Sequence, residues 1–190
     1  MIYEDLKGKK VLITGASSGI GSATAVMFSG QGCFVGVHYF RTKDGAEKTL
    51  EQVKKSSDGL LLHADMRDEK QVHKMVEQFA KEAGGIDVLV NNAGSLIDRQ
   101  PFETATVEYH DDVYATNVRS ILLATRSALP YLKESRGNIA NIGSVAGHHG
   151  GGVGSGIYAG AKAVLFLASD AAGFITGEYI AVNGGLYMRV

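Results

Sequence analysis

Short apolar runs along the chain alternate with longer stretches in which apolar residues recur every three or four positions. The runs have strand character and the stretches helical character, so the alternation predicts the order of elements. Lys10-Val11-Leu12-Ile13 is the first expected strand, and Ser22–Phe28 behind it suits a helix. Cys33–Tyr39 reads as a second strand and Thr42–Lys55 as a polar helix. Gly59–Met66 holds a third strand in Leu60-Leu61-Leu62-His63-Ala64. Asp68 is placed to cap the next helix, where Val72, Met75, Val76 and Phe79 keep the spacing of one buried face. Ile86–Val90 is expected as a fourth strand, apolar without interruption as a strand covered on both faces must be. One long helix is predicted over Thr106–Lys133, with Val113, Asn117, Ile121, Leu122 and Thr125 near one face. Asn138–Ile142 is a fifth strand, Tyr158–Ala172 a helix and Tyr179–Val182 a last strand. Such alternation predicts an α/β fold: a doubly wound parallel sheet between two helical layers, with right-handed crossovers. Ligands of such sheets sit at the carboxyl ends of the strands.

Composition narrows the picture. The chain has 190 residues, 45% hydrophobic and 21% charged, with a formal net charge of −1. That suits a single domain spanning residues 1–190 with a full core. The near-neutral charge carries no nucleic-acid or membrane signature. Cys33 is the only cysteine, so no intramolecular disulfide can form, in agreement with a reducing, cytoplasmic setting. Met1-Ile2-Tyr3-Glu4-Asp5-Leu6-Lys7 lacks a basic region followed by an apolar core, and no apolar run reaches bilayer length. No metal-ligating set is read.

The first chemistry lies between the first strand and its helix, in Thr14-Gly15-Ala16-Ser17-Ser18-Gly19-Ile20-Gly21. Strand, glycine turn and helix in that order form the context of a Rossmann-type dinucleotide site. Gly15 permits the tight exit from the strand, Gly19 lets backbone approach a pyrophosphate, and Gly21 allows close packing of the helix. Free N–H groups at the helix start then face the anion. Gly15, Ser17, Ser18, Gly19, Ile20 and Gly21 are the expected phosphate-side residues.

After the second strand comes His38-Tyr39-Phe40-Arg41-Thr42-Lys43. An acidic residue here would hold a ribose 2′-hydroxyl, and none is present. Arg41 and Lys43 suit a 2′-phosphate instead, which predicts NADP(H) in preference to NAD(H); a solvated basic loop is the alternative. Asp65 is suited to accept from the adenine amino group, with the Met66 backbone N–H beside it. A helix cap shared with Asp68 is the alternative. Asn91-Asn92-Ala93-Gly94 ends the fourth strand. Asn92, Ala93 and Gly94 would let backbone lie against the adenosine ribose, and Asn91 is placed to pin neighbouring strands together.

Tyr158-Ala159-Gly160-Ala161-Lys162 puts a phenol and an ammonium four apart, on one helical face. A fixed cation favours phenolate, which makes the phenol a better proton donor near neutral pH. Ser144, at the end of the fifth strand, could hydrogen-bond a substrate carbonyl. Asn117 could hold a water linking Lys162 to solvent. A Tyr/Lys pair at this spacing often only decorates a helix; its meaning changes when Ser, Tyr, Lys and a glycine turn project from one sheet edge. His148 and His149, in the glycine-rich stretch before Tyr158, read as loop residues or as lining of a substrate pocket.

These motifs together resemble the short-chain dehydrogenase/reductase family, closest to its 3-oxoacyl-[acyl-carrier-protein] reductase-like branch. Thr14–Gly21 is similar to the family's Thr-Gly-x3-Gly-x-Gly turn and Asn91–Gly94 to its Asn-Asn-Ala-Gly. Asn117, Ser144, Tyr158 and Lys162 match its catalytic tetrad. Phe166-Leu167-Ala168-Ser169-Asp170, Ile175-Thr176-Gly177-Glu178 and Asn183-Gly184-Gly185 resemble its C-terminal signature. The resemblance implies NADP(H)-linked interconversion of a carbonyl, a 3-oxoacyl group or other ketone, and a secondary alcohol. Tyr158 would be general acid/base, Lys162 would lower its pKa and bind the nicotinamide ribose, and Ser144 would polarise the carbonyl. It also implies a homo-oligomer, a tetramer or dimer, built through the Thr106–Lys133 and Tyr158 helices.

The chain departs from the family after the Tyr-x3-Lys motif. There the family completes a helix, forms a sixth strand ending in Pro-Gly, and adds a mobile substrate loop and a further helix. Here Lys162-Ala163 runs straight into Val164-Leu165-Phe166-Leu167, and neither Pro101 nor Pro130 precedes glycine. Roughly fifty residues or more are missing against the usual domain length. Either the protein carries a mobile segment at about 163–164 that this sequence omits, or the deletion is real. In the second case Tyr158–Ala172 is one fused helix, and NADP(H) would bind with little or no catalysis. A purely structural subunit, with no nucleotide bound, is a third reading.

Overall fold

The protein is described from a computed structural model, over residues 3–167. The expected strand at Tyr179–Val182 and most of the C-terminal signature lie outside the described residues. So do the side chains of His148 and His149. In chain order the elements are β1 (Lys10–Ile13), α1 (Gly19–Ser29), β2 (Phe34–Tyr39), α2 (Lys43–Val53), β3 (Gly59–His63), α3 (Glu69–Ala83), β4 (Val88–Asn91), α4 (Val107–Tyr114), a π turn (Ala115–Arg119), α5 (Ser120–Ser135), β5 (Asn138–Asn141), α6 (Ala146–His149) and α7 (Gly156–Leu167). They fall into two compact units. The first is Met1–Ala93 with Ser120–Ala140; the second is Gly94–Arg119 with the described part of Asn141–Val190.

The first unit is a parallel five-stranded sheet in the order β3-β2-β1-β4-β5, flanked by helices, as the alternating pattern predicts. Leu12 stands opposite Gly36 on one side and Leu89 on the other. Val11, Leu12 and Ile13 are all buried, which requires cover on both faces of the sheet. Leu12 joins Leu62, Val72, Met75, Phe79, Leu89, Leu123 and Ala128 in the core shared by α3 and α5. Val11 and Ile13 take the opposite face by the two-residue period of a strand, and α1 packs on β1 and β2. A Cβ on Gly36 would come within 2.7 Å of the Phe79 ring, so the ring sets that position. The chain order reverses between β1 and β4, so the carboxyl ends of these two strands form the switch point at which ligands bind.

Two expectations about helices meet different outcomes. On α3, Asp68 accepts from the Lys70 and Gln71 amides, the apolar quartet is buried, and left-handed Gly84 ends the helix. The long helix over Thr106–Lys133 is instead α4, the π turn and α5. Along α5 the 100° step of a regular helix puts Ile121, Ala124, Ala128 and Leu132 on the buried side and turns Leu122 away, so Leu122 is 61% exposed and off the face on which it was expected.

In the second unit Thr106 caps α4 by accepting the Tyr109 amide at 3.1 Å. Tyr109, Val113 and Ala161 are buried together, with Ile157 and Tyr158 packed against them. The segment around Arg99 and Gln100 is tied to the glycine-rich stretch. Arg99 Nη1 donates to the Val153 carbonyl at 3.2 Å, and the Gln100 amide donates to that of Gly154 at 3.0 Å. α7 continues unbroken across Ala163–Val164.

Candidate functional site

The phosphate-side residues lie in the first unit, on the turn between β1 and α1. Gly15 has φ +65, a left-handed geometry that suits glycine, and a Cβ there would lie 2.8 Å from the Ala93 Cα. A Cβ on Gly21 would collide with Asn92 Nδ2 and the Gly15 carbonyl oxygen. The glycine turn and Asn92, at the end of β4, thus both require a glycine there. Ser18, Gly19 and Ile20 are exposed, and Ser18 makes no side-chain capping bond to α1. The amides of the first helical turn keep the donors that an anion uses.

The ends of β1 and β4 are knitted by side chains. Thr14 Oγ1 accepts the amides of Asn92 and Ala93, each at 3.0 Å, and donates to the Val90 carbonyl at 3.3 Å. Asn92 Nδ2 donates to the carbonyls of Thr14 and Gly15 at 2.9 and 2.8 Å. Asn92 thus pins the end of β4 to that of β1. Asn91 reaches out of the sheet, and its Nδ2 donates to Thr125 Oγ1 on α5 at 3.2 Å. Neighbours on a strand project to opposite faces, so Asn92 reaches β1 while Asn91 reaches α5.

Beyond β2, the Arg41 guanidinium lies 5.3 Å from the Phe40 ring centroid and that of Arg67 6.0 Å. Lys43 Nζ pairs with Glu47 one turn on at 3.3 Å, an exposed contact that is weakly held. Asp65 receives three donors of Arg67: the amide and Nε at Oδ1, and Nη2 at Oδ2. The Arg67 hydrogen bonds hold the Asp65 carboxyl below its usual range. Asp65 therefore does not share the α3 cap, which Asp68 provides alone.

The second unit gathers the chemical residues. Asn117 is fully buried in the π turn; its Nδ2 donates to the carbonyls of Ser95 and Val113, at 2.7 and 2.9 Å, and its Oδ1 accepts the Ser95 amide at 3.1 Å. Lys162 on α7 is 4% exposed, and its Nζ donates to the Ile142 carbonyl at 3.3 Å. That bond ties α7 to the chain two residues before Ser144. The ammonium lies 5.8 Å from the Tyr158 ring centroid. Burial pushes its pKa down to about 8. A Cβ on Gly94 would sit 2.8 Å from Asn117 Oδ1 and 2.9 Å from Lys162 Nζ, so Gly94, Asn117 and Lys162 converge. Ser144 Oγ accepts the Ala146 amide at 3.2 Å in the turn before α6. Among the described residues no cluster of His, Cys, Asp or Glu could hold a metal ion.

A family model described as short chain dehydrogenase matches residues 9–184. The chain belongs to that family. Membership makes it an oxidoreductase with a nicotinamide cofactor. The 3-oxoacyl-[acyl-carrier-protein] reductase FabG of Staphylococcus aureus (strain Mu50 / ATCC 700699) is 35% identical over 92% of this chain and 72% of its own length. FabG of Haemophilus influenzae (strain ATCC 51907 / DSM 11121 / KW20 / Rd) is 30% identical over 245 aligned positions, covering 96% of this chain and all of the relative. The aligned positions outnumber the 190 residues here, so that relative carries internal positions without a counterpart. Among solved structures, NADH-dependent reductase A1-R′ complexed with NAD has a TM-score of 0.82 and 36% identity, over 85% of this chain and 70% of that one. A short chain dehydrogenase from Burkholderia cenocepacia J2315, in complex with NADP, has a TM-score of 0.80 and 31% identity over 85% and 65%.

Several residues that shape this family member's site carry no signal in the spacing of its motifs. Thr14 was legible only as part of the glycine turn, and Ser95 reads as an ordinary loop residue. His38 is hidden in an apolar run, although a histidine fully inside a strand calls for two partners.

Proposed function

We propose that the chain is an NADP(H)-dependent oxidoreductase interconverting a carbonyl compound, a 3-oxoacyl group or another ketone, and its secondary alcohol. The observation that carries this reading is Lys162: a desolvated ammonium beside the Tyr158 ring, held on the Ile142 carbonyl. Keeping that charge out of water costs stability, which is the mark of a functional group.

The cradle of the first unit fits a dinucleotide. Uncapped amides of α1, the exposed Ser18–Ile20 turn and the glycines that flank it suit a diphosphate. Asn92, Ala93 and Gly94 offer backbone to the adenosine ribose. Asp65 would take the adenine amino group with its remaining acceptor capacity, beside the Met66 amide. Arg41 would bind the 2′-phosphate together with Lys43, which must leave Glu47 to do so.

When bound, the nicotinamide supplies hydride to the carbonyl carbon. Tyr158 gives its phenolic proton to the carbonyl oxygen, and the Lys162 ammonium stabilises the phenolate left behind. Ser144 donates to the same oxygen. Tyr158 and Lys162 also hold the nicotinamide ribose, as the family resemblance implies. Both Nδ2 hydrogens of Asn117 are spent on carbonyls, so a relay water toward Lys162 would donate to its Oδ1. Leu122 and Leu129, seven apart and exposed on α5, give a homo-tetramer or dimer an apolar stripe. No described helix is long and apolar enough to cross a membrane, and a cytoplasmic location belongs to the same proposal.

Tyr158→Phe tests the reading. NADPH-dependent turnover across a panel of ketones should fall about a thousandfold, while NADP⁺ still binds, weakened by no more than about tenfold for the one ribose hydrogen bond lost. Retained turnover overturns it. A second reading, NADP(H) binding with little catalysis, is favoured by the extra positions of the Haemophilus influenzae relative. It predicts saturable binding but no turnover in the unsubstituted protein.

A further inference from the structure

His38 lies at the carboxyl end of β2 and is 1% exposed, yet both ring nitrogens are bonded. Nδ1 accepts the Gly15 amide at 2.9 Å. An imidazole nitrogen that accepts carries no proton, so the ring hydrogen is on Nε2, which donates to the Ala64 carbonyl at 3.1 Å. The backbone repeats the same links. The His38 carbonyl accepts the Ala16 amide at 2.7 Å, and the Ala64 amide donates to the Tyr39 carbonyl at 3.2 Å. Gly15 opens the glycine turn, and Ala64 immediately precedes Asp65 and Met66. One side chain therefore joins the two segments to which the nucleotide's diphosphate and adenine are assigned.

We infer that His38 is the positioning residue of the dinucleotide cradle, its neutral Nε2–H tautomer fixing the glycine turn against the end of β3. The inference rests on the cradle binding NADP(H). No apolar residue could replace the ring without leaving the Gly15 N–H and the buried Ala64 carbonyl unpaired. A protonated ring could donate to Ala64 but could no longer accept from Gly15. The titratable neighbours that bear on the ring are His63, which opposes its charge, and Asp65, which favours it.

The acceptor at Nδ1 separates two isosteric substitutions. His38→Asn places an amide oxygen near the Nδ1 position and can still accept from Gly15. His38→Gln places its amide nearer Nε2 and serves Ala64 instead. NADP⁺ titration by calorimetry should give His38→Asn an affinity within about threefold of the unsubstituted protein. His38→Gln should bind about tenfold more weakly, the worth of one hydrogen bond. Thermal unfolding of both variants shows whether they fold. Affinity in both variants equal to that of the unsubstituted protein overturns the inference by making the residue merely structural. Histidine ¹⁵N resonances of the unsubstituted protein give an independent readout that needs no variant. They should place the proton on Nε2, and a proton on Nδ1 overturns the inference. If the unsubstituted protein binds neither NADP⁺ nor NAD⁺, the reading of the cradle falls and this inference with it.

Discussion

His38 in the first unit and Lys162 in the second are both buried bases, and they end on opposite sides of neutrality. Burial pushes His38 down to about 4, so it is neutral at pH 7 and serves as a hydrogen-bond bridge. Burial pushes Lys162 down to about 8, so it remains an ammonium at pH 7. The same physical cause therefore gives a structural link in one unit and a reserve of charge in the other. Both groups take up protons more readily in the unfolded chain. Stability should rise with pH from about 4 to 6.5 on account of His38, and from about 8 to 10.5 on account of Lys162.

The strongest way to break this contrast is to remove the charge. Lys162→Met should cut turnover by about a hundredfold or more. It should also raise stability at pH 7, by up to about 3 kcal/mol, because a desolvated charge disappears. Steady-state kinetics and urea unfolding on one preparation check both signs, and lost stability would contradict the account. Gly94→Val pushes a side chain against Asn117 Oδ1 and Lys162 Nζ. Turnover should fall about a hundredfold through misplacement, with the fall read in kcat.

Acid sharpens the other half. Between pH 7 and 4 the protein should lose on the order of 3 kcal/mol through His38 alone, a loss that His38→Asn lacks. Urea midpoints of the two proteins across that range isolate the difference from the carboxylates they share. The smallest effect concerns cofactor choice. Arg41→Ala should lower the NADPH-to-NADH ratio of kcat/KM about tenfold. Lys43→Ala should lower it less, because Lys43 already pairs with Glu47.

The sequence made α3 legible because its cap, its apolar spacing and its terminal glycine all agree. Leu122 was misplaced because its 100° step from Ile121 turns it away from the side that Ile121, Ala124, Ala128 and Leu132 bury. Nothing in the spacing could show that Asn117 turns both amide hydrogens onto backbone carbonyls. Asn91 and Asn92 are identical in type, and only the pleat decides which one pins β1 to β4. The Tyr158/Lys162 pair was legible from its four-residue spacing, whereas its desolvation depends on Ile142 and Gly94, which are distant in the chain.

Isotope transfer reads hydride transfer by this chain directly. A ketone turned over with NADPH deuterated at C4 of the nicotinamide, on the face the enzyme uses, should give an alcohol with one deuterium on its carbinol carbon. An unlabelled alcohol from both C4 epimers, or no alcohol from any ketone tried, would contradict the account.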